Sequence, residues 1–320
     1  MSASGSKKVV YAALAGNALI AVLKFGGAAY TGSSAMLSEA IHSVVDTGNQ
    51  GLILFGMNRA KKPADENHPF GYGMELYFWT FVVAIVIFAV GAGVSIYEGI
   101  SKLRHPHVME NVFVNYLILG GAMVFEAGAW WIAFKEFSQT KGRLGYFEAV
   151  RQSKDPALFT VLFEDTAAML GLIVAMTGIY LGQELGIPEL DGAASVVIGV
   201  ILAVVAMLLA YECKGLLVGE SASQPVVRGI RALAQAKDGV LAVNELLTMH
   251  LGPADILVNI SLDFEDRLTS SQVEELITSL ERDIKEIHPE VKRIFIEAQS
   301  LAAHRRQAAE QAEGEAEQTD

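Results

Sequence analysis

The chain has 320 residues, 52% of them hydrophobic and 19% charged, a balance that excludes an ordinary water-soluble protein and implies a membrane protein with a soluble part attached. Its 24 Lys and Arg against 36 Asp and Glu leave a net charge of −12, which excludes a general nucleic-acid binder, because such a protein needs cations to displace phosphate counterions. The one cysteine, Cys213, excludes an intramolecular disulfide framework and every cysteine-based zinc or iron–sulfur cluster, so a metal would have to sit on His, Asp or Glu.

The N-terminal MSASGSKKVV leads into an apolar run without a small-residue cleavage signal, which predicts a retained start on the cytoplasmic side. A hydrocarbon core about 30 Å thick takes about 20 apolar residues per helix. Six such spans are predicted, at 9–30, 35–57, 76–98, 112–134, 157–181 and 192–211. The sixth carries no charge and the third only Glu98 at its last position, whereas the second, fourth and fifth carry acids within the apolar run and are expected to face inward. Cations resist translocation, and they gather in two loops: Arg59, Lys61 and Lys62 after span two, and Lys135, Lys141, Arg143, Arg151 and Lys154 between spans four and five. These join Lys7 and Lys8 on one side, so both termini are predicted to be cytoplasmic, in a cell inner or plasma membrane.

From about residue 214 the composition becomes that of a soluble module. Residues 224–236 have helical spacing, 240–249 and 255–264 alternate like strands, 270–287 form an amphipathic helix and 291–298 a last strand. That order, αββαβ, is an open-faced sandwich, with Gly252 and Pro253 supplying its first turn. The predicted organisation is therefore an α-helical membrane protein, with six transmembrane helices over 1–213 and a small cytoplasmic α+β module over 214–300. A polar, Ala/Glu/Gln-rich tail over 301–320 is expected to be frayed or disordered.

The chemistry lies in spans two and five. His42 and Asp46 stand four residues apart in AMLSEAIHSVVDTGNQ, so their side chains project from one helix face in chelating geometry. Glu164 and Asp165 are neighbours in span five. An ionised carboxylate at mid-bilayer costs about 2.5–3.5 kcal/mol on insertion scales, so this set requires neutralisation by a divalent metal or by protons. No Arg lies in any span, and Lys24 in span one is expected to snorkel to an interface. The competing explanation is hydrogen-bonded glue between helices, which does not require charge at this density. Neutral imidazole with carboxylates suits Zn²⁺, with Mn²⁺, Fe²⁺, Co²⁺ and Ni²⁺ as alternatives.

GSSAMLSEAIHSVVDTGNQ, the loop PADENHPFGYG, six spans and an αββαβ tail together resemble the cation diffusion facilitator family of divalent-metal/proton antiporters, over residues 8–298. The resemblance implies a transport site of four ligands, in pairs on spans two and five. Carried over, these are His42, Asp46 and Asp165. The remaining ligand position is Val161, which has no donor atom, and Glu164 is the nearest replacement, although it lies about 100° around the helix from Asp165. The resemblance would also make Asp65 and His68 ligands of a second metal, but Tyr72 stands where a third is expected, and a structural loop is the preferred reading. The family's binuclear zinc site in the soluble module falls on Asn244, Ser261 and Glu297 and is expected to be absent, leaving His250 and His288 solvated or locally hydrogen-bonded.

Asn17 and Asn49 read as interhelical hydrogen bonders. The lone Glu126 in span four reads equally as a proton relay or a bundle hydrogen bond. His105 and His107 form an exposed loop pair, and Phe78, Trp79, Trp130 and Trp131 read as interfacial or lipid-facing aromatics.

The predicted activity is export of a divalent cation, Zn²⁺ first, in exchange for protons by a non-enzyme homodimer paired through the soluble module, the metal being cargo and no cofactor being needed. There is no GxxxxGK[ST] phosphate loop for ATP and no HExxH for a metalloprotease. The alternative from another class is a non-transporting membrane metal sensor or scaffold that signals through the C-terminal module.

Overall fold

The computed structural model describes residues 3–106, 112–141, 145–306 and 310. The chain divides into two compact units, Met1–Leu217 and Val218–Asp320. The first contains α1 (Ala3–Thr31), α2 (Ser34–Arg59), α3 (Glu75–Val86), α4 (Gly93–Arg104), α5 (Val112–Thr140), α6 (Tyr146–Gln152), α7 (Pro156–Leu185) and α8 (Glu189–Val218). α3 runs into α4 through a π-helical segment, Ile87–Ala92. Neither this segment nor the short α6 was signalled by hydropathy, which reads only the length of an apolar run.

Among the described residues four helical stretches are long and apolar enough to cross a membrane: Glu75–Arg104, Phe113–Gln139, Pro156–Leu185 and Glu189–Val218. α1 and α2 have comparable length, 29 and 26 residues, or roughly 40 Å at about 1.5 Å per residue. They fall outside that group; α2 carries Glu39, His42, Asp46, Asn49 and Gln50, every one of them buried. A polar stripe is tolerable on such a helix only if protein covers it. α2 accordingly packs against α1, α3, α4 and α7.

The chain turns into α2 through Gly32, whose φ of +68° is left-handed. Ser33 is the N-cap, its hydroxyl accepting from the Met36 amide at 3.1 Å. The Asp191 carboxylate at the start of α8 completes the cap. It accepts from Ser33 Oγ at 2.7 Å, the Ser34 amide at 2.8 Å, Ser34 Oγ at 2.9 Å and the Ala35 amide at 3.3 Å. The GSS turn of the sequence thus joins the first hairpin to α8, 157 residues away. α7 begins on Pro156, whose fixed φ suits a first turn, and stops at the left-handed Gly186. α4 and α8 meet backbone to backbone: a Cβ on Gly99 would lie 2.7 Å from the Gly192 carbonyl oxygen, and one on Gly199 would lie 3.0 Å from that of Ala92. Small residues at such a seam gain dispersion contact where lipid gives helices no hydrophobic drive to associate.

The second unit has the expected element order, with α9 (Gln224–Gln235), β1 (Val240–Gly252), β2 (Asp255–Phe264), α10 (Ser270–Ile287) and β3 (Val291–Ala298). The sheet order is β1-β2-β3, antiparallel then parallel. Alternate residues of the central strand, Ile256, Val258, Ile260 and Leu262, pack with Ile230 and Ala234 of α9 and with Leu280 and Ile284 of α10. Thr269 and Gln272 form a reciprocal capping box at the start of α10. Composition predicts fraying after 300, yet residues 301–306 are helical, held by the Leu301 amide donating to Asp263 Oδ2 at 3.0 Å. Beyond 306 the expected tail, residue 310 apart, lies outside the described residues, as does His107.

Candidate metal site in the helix bundle

The 3- and 4-residue spacing of Glu39, His42, Asp46, Asn49 and Gln50 places them along one stripe of α2. The stripe is paired with α7, which contributes Thr160, Glu164 and Asp165, all buried. His42 Nδ1 and Asp46 Oδ1 lie 3.3 Å apart, without hydrogen-bond alignment. Neither His42 nitrogen has a hydrogen-bond partner among the described residues, nor has Asp46 Oδ1 or Asp165 Oδ2. Each of these residues is about 1% exposed. Leaving polar atoms buried and unpaired costs roughly 1–3 kcal/mol apiece, more where charge is involved. Chemically the set is a bank of N and O donors of the kind that binds borderline divalent cations.

The donors are neighbours and not a finished coordination shell. Among the described residues no three His, Cys, Asp or Glu side chains converge as a ready metal site. Glu164 differs from the rest in being satisfied: Asn49 Nδ2 donates to its Oε1 at 2.7 Å and Gln50 Nε2 to its Oε2 at 3.4 Å. Asn49 is thus an interhelical hydrogen bonder, as read from the sequence. Asn17 is buried, and its amide nitrogen has no partner among the described residues. Val161 is fully buried.

Lys24 overturns one expectation. It does not snorkel: it is 0% exposed, and its Nζ donates to Glu39 Oε2 at 2.9 Å and to Ser43 Oγ at 3.0 Å. Glu39 needs this partner because it is sealed against α7, where any Cβ on Gly171 would collide with Glu39 Oε1. The acid of the SEAIH motif is therefore neutralised from within by α1. The available signal was a lone cation in span one followed by the acids Glu39 and Asp46 in span two, one of which it could pair with inside the bundle.

The auxiliary residues make a loop and no assembled shell. Asp65 Oδ1 accepts from the amides of Asn67 and His68, and its Oδ2 accepts from Tyr72 Oη at 2.6 Å. His68 stacks on Tyr72 with ring centroids 4.2 Å apart. These hydrogen bonds, the Tyr72 one foremost, hold the Asp65 carboxyl below its ordinary 3.8. In the second unit Asn244 Nδ2 donates to Ser261 Oγ and to the Gln299 carbonyl. His250 is buried with Nδ1 3.1 Å from the Gly252 carbonyl, and His288 Nδ1 lies 3.6 Å from Glu290. His105 is exposed.

A family model for the cation efflux transmembrane domain matches residues 10–218. The chain belongs to the cation efflux family, the cation diffusion facilitators. Members of this family are metal-efflux transporters, not enzymes. The cation efflux domain here includes every helix that carries the buried donors. Among curated relatives the chain is 35% identical over 269 residues to the mouse (Mus musculus) protein named proton-coupled zinc antiporter SLC30A9, mitochondrial, a match that covers 83% of this chain and 47% of that one. It is 26% identical to metal tolerance protein C4 of Arabidopsis thaliana, covering 82% and 58%. It is 22% identical to the manganese efflux system protein MneP of Bacillus subtilis (strain 168), covering 91% and 95%. The chain thus spans about half the length of the mouse relative.

Proposed function

We propose that this cation efflux protein exchanges a divalent transition metal, Zn²⁺ first, for protons, through a site of His42, Asp46 and Asp165 with Glu164 alongside. The observation that carries the reading is the set of buried, unpartnered donor atoms on two packed helices, α2 and α7. Such atoms are tolerable when an ion or protons take their charge, and exchange between the two provides a cycle. The names of the mouse and Arabidopsis relatives support metal handling, and the mouse name supports zinc and proton coupling. The name of the Bacillus relative keeps Mn²⁺ in view. Exporting two charges against an inside-negative potential costs about 4.6 kcal/mol per 100 mV at about 2.3 per charge. One returning proton recovers half, and each pH unit adds about 1.4 kcal/mol per proton.

In this reading α1 and α2 join the four apolar stretches as spans one and two, which places both termini on the cation-rich side. That side is the cytoplasm in a plasma or inner membrane; the mitochondrial label of the mouse relative points to an organelle membrane as the other setting. Pairing of two copies through the second unit is supported by its open sheet face, where Leu247, Asn259 and Phe295 are exposed in register. The test is metal flux into proteoliposomes under a pH gradient. Asp46→Ala and Asp165→Ala are expected to abolish it while the protein remains folded, and parent-like flux in either variant rejects the site. Metal binding by the parent with no flux favours the sensor alternative.

A further inference from the structure

The bundle contains one more carboxylate with nothing to hold it. Glu126, the acid in the apolar middle of α5, is 1% exposed, and neither of its oxygens has a hydrogen-bond partner among the described residues. Helix–helix glue requires a donor across the interface, so that explanation fails at this residue. Lys24 does not fill the role, because its hydrogen bonds go to Glu39 and Ser43. Trp130 lies one turn along α5 on the face that carries Glu126. Its Nε1 donates to Thr166 Oγ1 at 3.1 Å, and Thr166 adjoins Asp165, so this face of α5 is fastened to the turn of α7 that bears the site. α5 packs along α7, the helix that bears Asp165.

The site read from the sequence has a gap at Val161, and Glu164, about 100° around the helix from Asp165, is held in place by Asn49 and Gln50. We propose that Glu126 supplies the fourth protein ligand to the transported cation, so that the site is built on three helices: His42 and Asp46 from α2, Asp165 from α7 and Glu126 from α5. One nitrogen and three carboxylates form a four-donor set that suits Zn²⁺ and also accommodates Mn²⁺ and Co²⁺. This rests on the metal-transport reading above, which can stand without it.

The test uses the full chain in detergent with Cys213→Ser as the parent, and Co²⁺ as the probe. A thiolate bound to Co²⁺ adds an intense sulfur-to-metal absorption in the near ultraviolet that oxygen ligands do not give. Glu126→Cys is expected to acquire this band. Bound cobalt in Glu126→Cys without the band overturns the proposal. If that variant takes up no cobalt, titration of Glu126→Gln decides. Affinity weakened on the order of 100-fold and partly restored in Glu126→Asp supports ligation; affinity within about twofold of the parent overturns it. A parent that binds no cobalt sinks the transport reading as well, a result distinct from failure at Glu126 alone.

Discussion

Two buried aspartates, Asp191 at the N-terminal end of α2 and Asp165 opposite its middle, are alike in exposure and unlike in company. Asp191 accepts four hydrogen bonds from Ser33, Ser34 and Ala35, whereas Asp165 has an oxygen with no partner among the described residues. Burial of a carboxylate therefore does not by itself separate architecture from function in this bundle. On the proposed reading satisfaction does: a carboxylate surrounded by donors holds a helix end in place, and one left short of donors is available to an ion.

The sharpest way to break this contrast is to remove each acid in turn. Asp165→Ala is expected to reduce metal flux to the background of empty vesicles with an unchanged melting curve. Asp191→Ala is expected to cost about 2–4 kcal/mol of stability, since it strips the α2 cap and leaves buried hydroxyl and amide donors unpaired, while metal binding per folded molecule persists. Equal melting curves for the two variants would erase the distinction. A second case sets Lys24 beside these acids. Lys24→Met leaves Glu39 buried without its cation, a loss of about 3–5 kcal/mol, and the double variant Lys24→Met/Glu39→Gln is expected to recover most of it. Thermal unfolding in one detergent measures both.

The smallest effect is at the exposed loop. Asp65 has a lowered pKa in the folded protein, so its contribution to stability is present above the ordinary carboxylate value and is lost as pH falls through the lowered one. Tyr72→Phe removes the leading cause and is expected to bring the Asp65 titration, followed by carboxyl NMR, back toward the ordinary value. No movement would mean that the backbone amides alone set it.

What the sequence makes legible depends on whether the signal is local. The apolar runs locate the four membrane-compatible stretches, and alternation gives β2 and β3 at their observed ends, because both signals lie within a few residues. The placement of His42 and Asp46 on one face of α2 is legible for the same reason, the two being one helical turn apart. The Lys24–Glu39 pair, the Asp191 cap and the Trp130–Thr166 bond span 15, 157 and 36 residues, and no periodicity encodes which turn of one helix meets which turn of another. Snorkelling is a sound expectation for a lysine on an isolated helix; it fails for Lys24 because an acid on the next helix pairs with it inside the bundle. The π-helical segment is unsignalled because Ile87–Ala92 reads as an uninterrupted apolar run.

The Lys24–Glu39 bond also constrains how the bundle can move. Separating those two charges away from water would strand both, so the first and second helices must travel as a single strut through any opening and closing. Whatever rearrangement carries an ion from one side to the other has to be sought in slippage of other helices past that strut, with the stripe of donors on α2 as the stationary rail.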